Sequence, residues 1–171
     1  KARWKMKIPG EFNQLNAEAA WQAAKLLGIK KPTAQKAISN YAGSWRRMEA
    51  LIPKRRATLR SFGIPQDKQA QGKKFFTDYA HHPTEIKETI KALKETFPKK
   101  KLVVVFQPHQ RERLNFLFND FVSAFDGADK LILLPAYQVV GRESAAGGET
   151  VGQKTAKDLF QAMKNDNVHY L

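Results

Sequence analysis

The stretch "KKFFTDYAHHPTEIKETIKALKETFPKKKLVVVFQPH", residues 73–109, decides the fold class. It opens on "KKFFTDYA", a short strand candidate, and closes on "KLVVVFQ", which is apolar on consecutive positions, as strands covered on both faces are. Between them Ile86, Ile90, Leu93 and Phe97 recur on one stripe, which predicts an amphipathic helix over residues 83–97. Pro83 suits the first helical position, where its missing N–H would have no partner. Glu85 falls in the first turn, where the helix dipole favours a negative charge. Strand, helix and strand in this order argue for a parallel α/β sheet.

The same alternation continues toward the C-terminus. Leu114, Leu117, Phe118, Phe121, Val122 and Phe125 predict a second helix over 111–126, "KLILLPA" a third strand, and residues 151–164 a last helix. "GRESAAGGET" (141–150) reads as a flexible loop. Toward the N-terminus, Leu15, Ala19, Ala23 and Leu27 predict a helix over 13–28, stopped by Gly28, and a second helix over 32–42 closes at Gly43. "RRMEALI" and "ATLRSFG", joined by "PKRR", read as a hairpin or edge strands. The expected fold is therefore α/β: a Rossmann-like, mostly parallel sheet flanked by helices, preceded by a short helical piece. A domain boundary is expected near Ser44, dividing 1–43 from 44–171.

Composition narrows the function classes. Of 171 residues, 42% are hydrophobic, enough for a sizeable core. The chain has no cysteine, which excludes disulfides and thiolate metal sites and fits a reducing, cytoplasmic setting. No apolar run follows the first positive charges, and none reaches the roughly 18 residues of a membrane span, so no membrane partner is expected. A net charge of +14 implies an anionic partner, with nucleic acid and phosphorylated small molecules as candidates. No RNP, KH or zinc-finger signature supports the first of these.

The adjacent His81 and His82 stand between a strand end and a helix start, beside Asp78 and Tyr79. In open parallel sheets that crevice is where ligands bind. The next strand ends in "QPHQRER", with Gln107, His109, Arg111 and Arg113, and the third in "PAYQVVGRE", with Tyr137 and Arg142. Arginines there suit a carboxylate or phosphate. Neighbouring histidines on an extended backbone point opposite ways, and no HExxH motif accompanies them, so a metal site is not expected. No G-x-S-x-G elbow supports a serine triad. A surface cap is the plain alternative for the histidine pair.

At these residues the chain resembles the Mur ligase family. "DYAHHPTEI" followed by "VVVFQPH" is similar to the family's C-terminal domain, "IPGEFNQLNAEAAW" to the end of its central domain, "GSWRRMEAL" to the segment that opens the C-terminal domain, and "LILLPAYQVVGRE" to a later strand and turn. The matches run in family order along nearly the whole chain, with "FQPH" closest to the alanine-adding branch. The resemblance implies joining of L-alanine to the lactyl carboxylate of UDP-N-acetylmuramate in peptidoglycan precursor synthesis, with ATP and Mg²⁺ activating the carboxylate as an acyl phosphate. Position by position, it implies nucleotide contacts for Asn13, Asn16, Arg47 and Asp78, and substrate contacts for Tyr79, His81, His109 and Arg113. The alternatives from the residues alone are helix capping for one of Asn13 and Asn16, and an ion pair with Glu49 for Arg47. The family's peptide-recycling branch, which shares "HHPT", is the alternative within the family.

Phe12 and Gln110 stand where the family usually has histidine and arginine. No G-x-x-G-K-[ST] phosphate loop occurs in the 171 residues. The resemblance therefore implies a fragment, the end of the ATP-binding central domain and most of a C-terminal domain, not active alone.

Overall fold

The computed structural model describes residues 3–51, 73–136 and 154–171. Two helices come first, α1 (Glu11–Leu26) and α2 (Lys31–Asn40), then a two-residue strand β1 (Glu49–Ala50). After these come β2 (Phe76–Thr77), α3 (Pro83–Thr96), β3 (Val103–Phe106), α4 (Arg111–Phe116), α5 (Phe118–Val122), β4 (Lys130–Leu133), α6 (Ala156–Met163) and β5 (Val168–Tyr170). Strands β3, β4 and β5 form a parallel sheet in that order, with Val104 opposite Leu131 and Leu131 opposite Val168. This is the expected α/β architecture with helices on the sheet.

The core follows from the apolar stripes. Ile86 and Ile90 from α3, Leu114 from α4, Phe121 from α5, Phe125 beyond it and Leu159 from α6 pack on Phe106, Leu131, Leu133 and Val168. The rings of Phe121 and Phe125 lie 5.9 and 5.1 Å from that of Phe106. Leu114, Leu133 and Leu159 are fully buried. Each such side chain contributes about 1.5–3 kcal/mol relative to exposure.

Four expectations need correction. First, residues 111–126 form two short helices, because Leu117 (φ −107°, ψ 26°) ends α4 and opens α5. The bond from Leu117 N–H to the Arg113 carbonyl, and that from Phe121 N–H to Leu117, still carry the chain across the break. Second, "KKFFTDYA" does not extend the parallel sheet. β2 pairs antiparallel with β1, Glu49 opposite Thr77 and Ala50 opposite Phe76. Bonds from Leu51 N–H to Phe75 and from Tyr79 N–H to Arg46 lengthen that ladder at both ends, and β3 keeps a cleft of about 770 Å³ on its outer side. Third, "VHY" is a strand where none was expected. Fourth, among the described residues of "RRMEALI" only Glu49–Ala50 is strand. "ATLRSFG", the loop 141–150, Tyr137 and Arg142 lie outside the described residues.

Candidate functional site

A cleft of about 760 Å³ opens between α1, α2, the turn at residues 43–48 and the first turns of α3. Its wall is largely apolar, with Met6, Ile8, Phe12, Ile38 and Met48, and its polar members include Asn13, Asn16, Arg47, Asp78 and Glu85. A mostly apolar hollow with a few convergent polar groups is the usual form of a small-molecule site. All four residues expected to contact a nucleotide line it, from segments up to 65 positions apart.

Helix α1 presents the asparagines. Gly10 (φ 100°) is its N-cap and makes no side-chain cap. A Cβ there would stand 2.7 Å from the Phe12 ring, so glycine allows both the turn and the ring's approach. Asn13 is buried, and its Nδ2 donates to the Pro9 carbonyl at 2.6 Å. Neither asparagine is the N-cap. Asn16 is exposed at the cleft wall.

The turn at 44–48 is held by several bonds to distant segments. Arg46 and Met48 both have positive φ, 54° and 46°, a conformation that costs non-glycine residues about 1–2 kcal/mol each. Tertiary bonds hold it in place. One oxygen of Asp78 accepts the Met48 N–H at 2.7 Å, and the other accepts the Ala80 N–H at 2.7 Å. A carboxylate has about four acceptor positions, so Asp78 is a brace that retains capacity for two hydroxyls. Around it, the Arg46 guanidinium lies 5.5 Å from the Trp45 ring and 5.1 Å from the Tyr79 ring, and that of Arg47 lies 5.9 Å from Tyr79. The Tyr79 and His81 rings are 4.9 Å apart.

The histidine pair divides its work. His82 caps α3: its Nδ1 accepts the Thr84 N–H at 3.3 Å, and Glu85 reaches back to the His82 N–H at 3.4 Å. This reciprocal arrangement is a capping box. Nδ1 of His81 lies 2.8 Å from the Tyr79 carbonyl. Glu85 accepts the His81 N–H at 3.1 Å and pairs with Arg47 at 3.3 Å. Its partial burial raises the carboxyl pKa. The His81 N–H, the charge on His81 and the Arg47 guanidinium outweigh that and hold it below its ordinary value. The alternative of an ion pair between Arg47 and Glu49 is not what the structure shows: Arg47 pairs with Glu85, while Glu49 accepts the Arg46 N–H at 3.0 Å.

His109 and Arg113 stand elsewhere, after β3 and on α4, and neither lines the cleft. His109 is exposed and Arg113 half-buried. The long reach of Glu85 was not visible in the sequence, where only its place in the first turn of the helix could be read. Among the described residues no group of three or more His, Asp or Glu side chains is placed to hold a metal ion. No helix among the described residues is long and apolar enough to cross a membrane.

A parallel sheet flanked by helices, with a largely apolar cleft beside the β1–β2 ladder, defines an α/β protein. The family described as "Mur ligase, glutamate ligase domain" matches residues 64–171, and the chain belongs to the Mur ligase family. UDP-N-acetylmuramate–L-alanine ligase of Fusobacterium nucleatum is 34% identical over 97% of this chain and 32% of its own length. The enzyme of that name from Caldicellulosiruptor saccharolyticus is 36% identical over 96% of this chain and 31% of its own. The chain thus spans about a third of the length of these curated relatives. Among solved structures, UDP-N-acetylmuramate–alanine ligase of Thermotoga maritima superposes with a TM-score of 0.67 at 23% identity, over 97% of this chain and 30% of the other. Folylpolyglutamate synthase of the same organism gives 0.54 at 16% identity, over 97% of this chain and 32% of the other. These two likenesses carry the fold.

Proposed function

We propose that this chain is the part of an ATP-dependent ligase that closes over its substrates, with UDP-N-acetylmuramate and L-alanine as the pair joined. Residues 1–43 end the ATP-binding domain and 44–171 belong to the C-terminal domain. The observation that carries this reading is the single cleft lined by Asn13, Asn16, Arg47 and Asp78, residues from both sides of that boundary. Relatives bearing the alanine-ligase name align along both sides as well.

The cleft suits a nucleoside. Its apolar wall accepts a flat base, and Asp78 has two acceptor positions left for ribose hydroxyls. Bound ATP would supply activation of the sugar's carboxylate. The chain's own residues position and shield: Asp78 and Arg47 orient the nucleotide, Tyr79 and His81 the sugar nucleotide, and His109 and Arg113 the incoming amino acid. Holding reactants in register is itself a large part of such a rate enhancement.

The test is phosphate release with UDP-N-acetylmuramate, L-alanine, ATP and magnesium. An enzyme completed with the segments its relatives carry turns over with L-alanine. The 171-residue chain alone does not, because it contains no phosphate loop. Turnover by the isolated chain, or a completed enzyme indifferent to L-alanine, overturns the reading.

A further inference from the structure

We propose that Glu85 is a positioning residue that ties Arg47, in the wall of the cleft, to His81, which stands beside it. The proposal rests on the function proposed above and adds a residue to it. Glu85 sits in the first turn of α3 and divides its two carboxylate oxygens. Oε1 pairs with Nη1 of Arg47 at 3.3 Å, across 38 positions of chain. Oε2 accepts the backbone N–H of His81 at 3.1 Å and lies 3.5 Å from its Nδ1. Arg47 belongs to the nucleotide set and His81 to the substrate set. Tyr79 fills the space between, 5.9 Å from the Arg47 guanidinium and 4.9 Å from the His81 ring.

The physical need is plain. Arg47 follows a residue in the left-handed region and precedes another, so its backbone is set by the turn. Its side chain is about half exposed, and a long exposed side chain held at one end keeps considerable rotamer freedom. Glu85 removes that freedom, and its helix fixes Glu85. The cap at the start of α3 therefore orients the residues on either side of it.

Three variants of the completed enzyme separate this role from a merely structural one. Glu85→Gln keeps an acceptor for the backbone N–H groups, and with it the cap, but loses the charge that holds Arg47. Because the pair is exposed, about a three- to fivefold rise in KM is expected for ATP and for UDP-N-acetylmuramate. The KM for L-alanine should stay unchanged, because His109 and Arg113 follow β3 and take no part in the Arg47–Glu85–His81 contacts. Arg47→Ala should raise the KM for ATP on its own, and Glu85→Gln added to it should raise that constant no further, since the two act as a unit. An unmelted helix signal in circular dichroism confirms that the variants fold. Equal rises in all three KM values, or full additivity with Arg47→Ala, overturn the proposal. A completed wild-type enzyme without L-alanine ligation would instead remove the functional reading on which it rests.

Discussion

Two helices of this molecule begin with the same device and use it differently. At the start of α6, Thr155 Oγ1 accepts the Asp158 N–H at 3.1 Å, and Asp158 accepts the Thr155 N–H at 2.7 Å. At the start of α3, His82 and Glu85 make the reciprocal pair. Among the described residues Asp158 makes its hydrogen bonds within its own turn, whereas Glu85 also holds Arg47, 38 positions away. One extra methylene gives the glutamate the reach, and the neighbouring 44–48 turn gives it something to hold. The lesson is that a cap motif reports a helix start reliably but says nothing about what else its acid binds. At α6 the box serves the core by placing Leu159. At α3 it serves the cleft.

The comparison can be broken or sharpened by substitution. The largest effect is expected on the core side. Leu159→Ala leaves a hole beneath α6 and should cost about 2–5 kcal/mol in urea unfolding, with no comparable loss from any single change at the cleft. A loss under about 1 kcal/mol would mean that α6 is not anchored by this residue.

Next is Asp78→Ala in the completed enzyme. It removes the brace on the Met48 and Ala80 N–H groups and the acceptor proposed for ribose. Hydrogen bonds to a charged group are worth roughly 1.5–3 kcal/mol, so the constant for ATP should rise about ten- to hundredfold. Steady-state kinetics with ATP varied will check this. A raised sugar-nucleotide constant beside an unchanged ATP constant would reverse the roles assigned to the two sides.

The smallest effect compares the boxes directly. Thr155→Ala should cost about 1 kcal/mol at neutral pH, read by thermal melting. Asp158 has its carboxyl pKa lowered chiefly by the hydrogen bond from Thr155. A carboxylate lowered in the folded state contributes stability that is present above its unfolded value and is lost as pH falls through the folded one. The difference between wild type and Thr155→Ala should therefore shrink in acid, below the ordinary carboxylate range. A difference constant with pH would show that Asp158 is not part of the device.

Much of this molecule is local and was legible. The stripe Ile86, Ile90, Leu93 and Phe97, with Pro83 and Glu85 at its start, specifies α3 to within a residue. The consecutive apolar residues of "LVVVF" and "LILL" mark β3 and β4 as strands, but only β4 is covered, since Val103 and Val105 leave one face of β3 exposed. Family-ordered motifs named four residues that share the wall of one cleft. The sequence determined these because hydrophobic period, helix caps and residue types at fixed offsets act over a few positions. Pairing partners are long-range choices, and only the tertiary structure decided them. "FFTDYA" turns to β1 instead of extending the sheet because Asp78 and Tyr79 bond the 44–48 turn. "VHY" becomes a strand because the free edge of β4 lies beside it, with Leu133 opposite Tyr170. Arg47 pairs with Glu85, not the nearer Glu49, because the backbone at Arg46 and Met48 turns left-handed and carries its side chain toward α3. Such contacts depend on where two distant segments come to rest, and no window of sequence contains both.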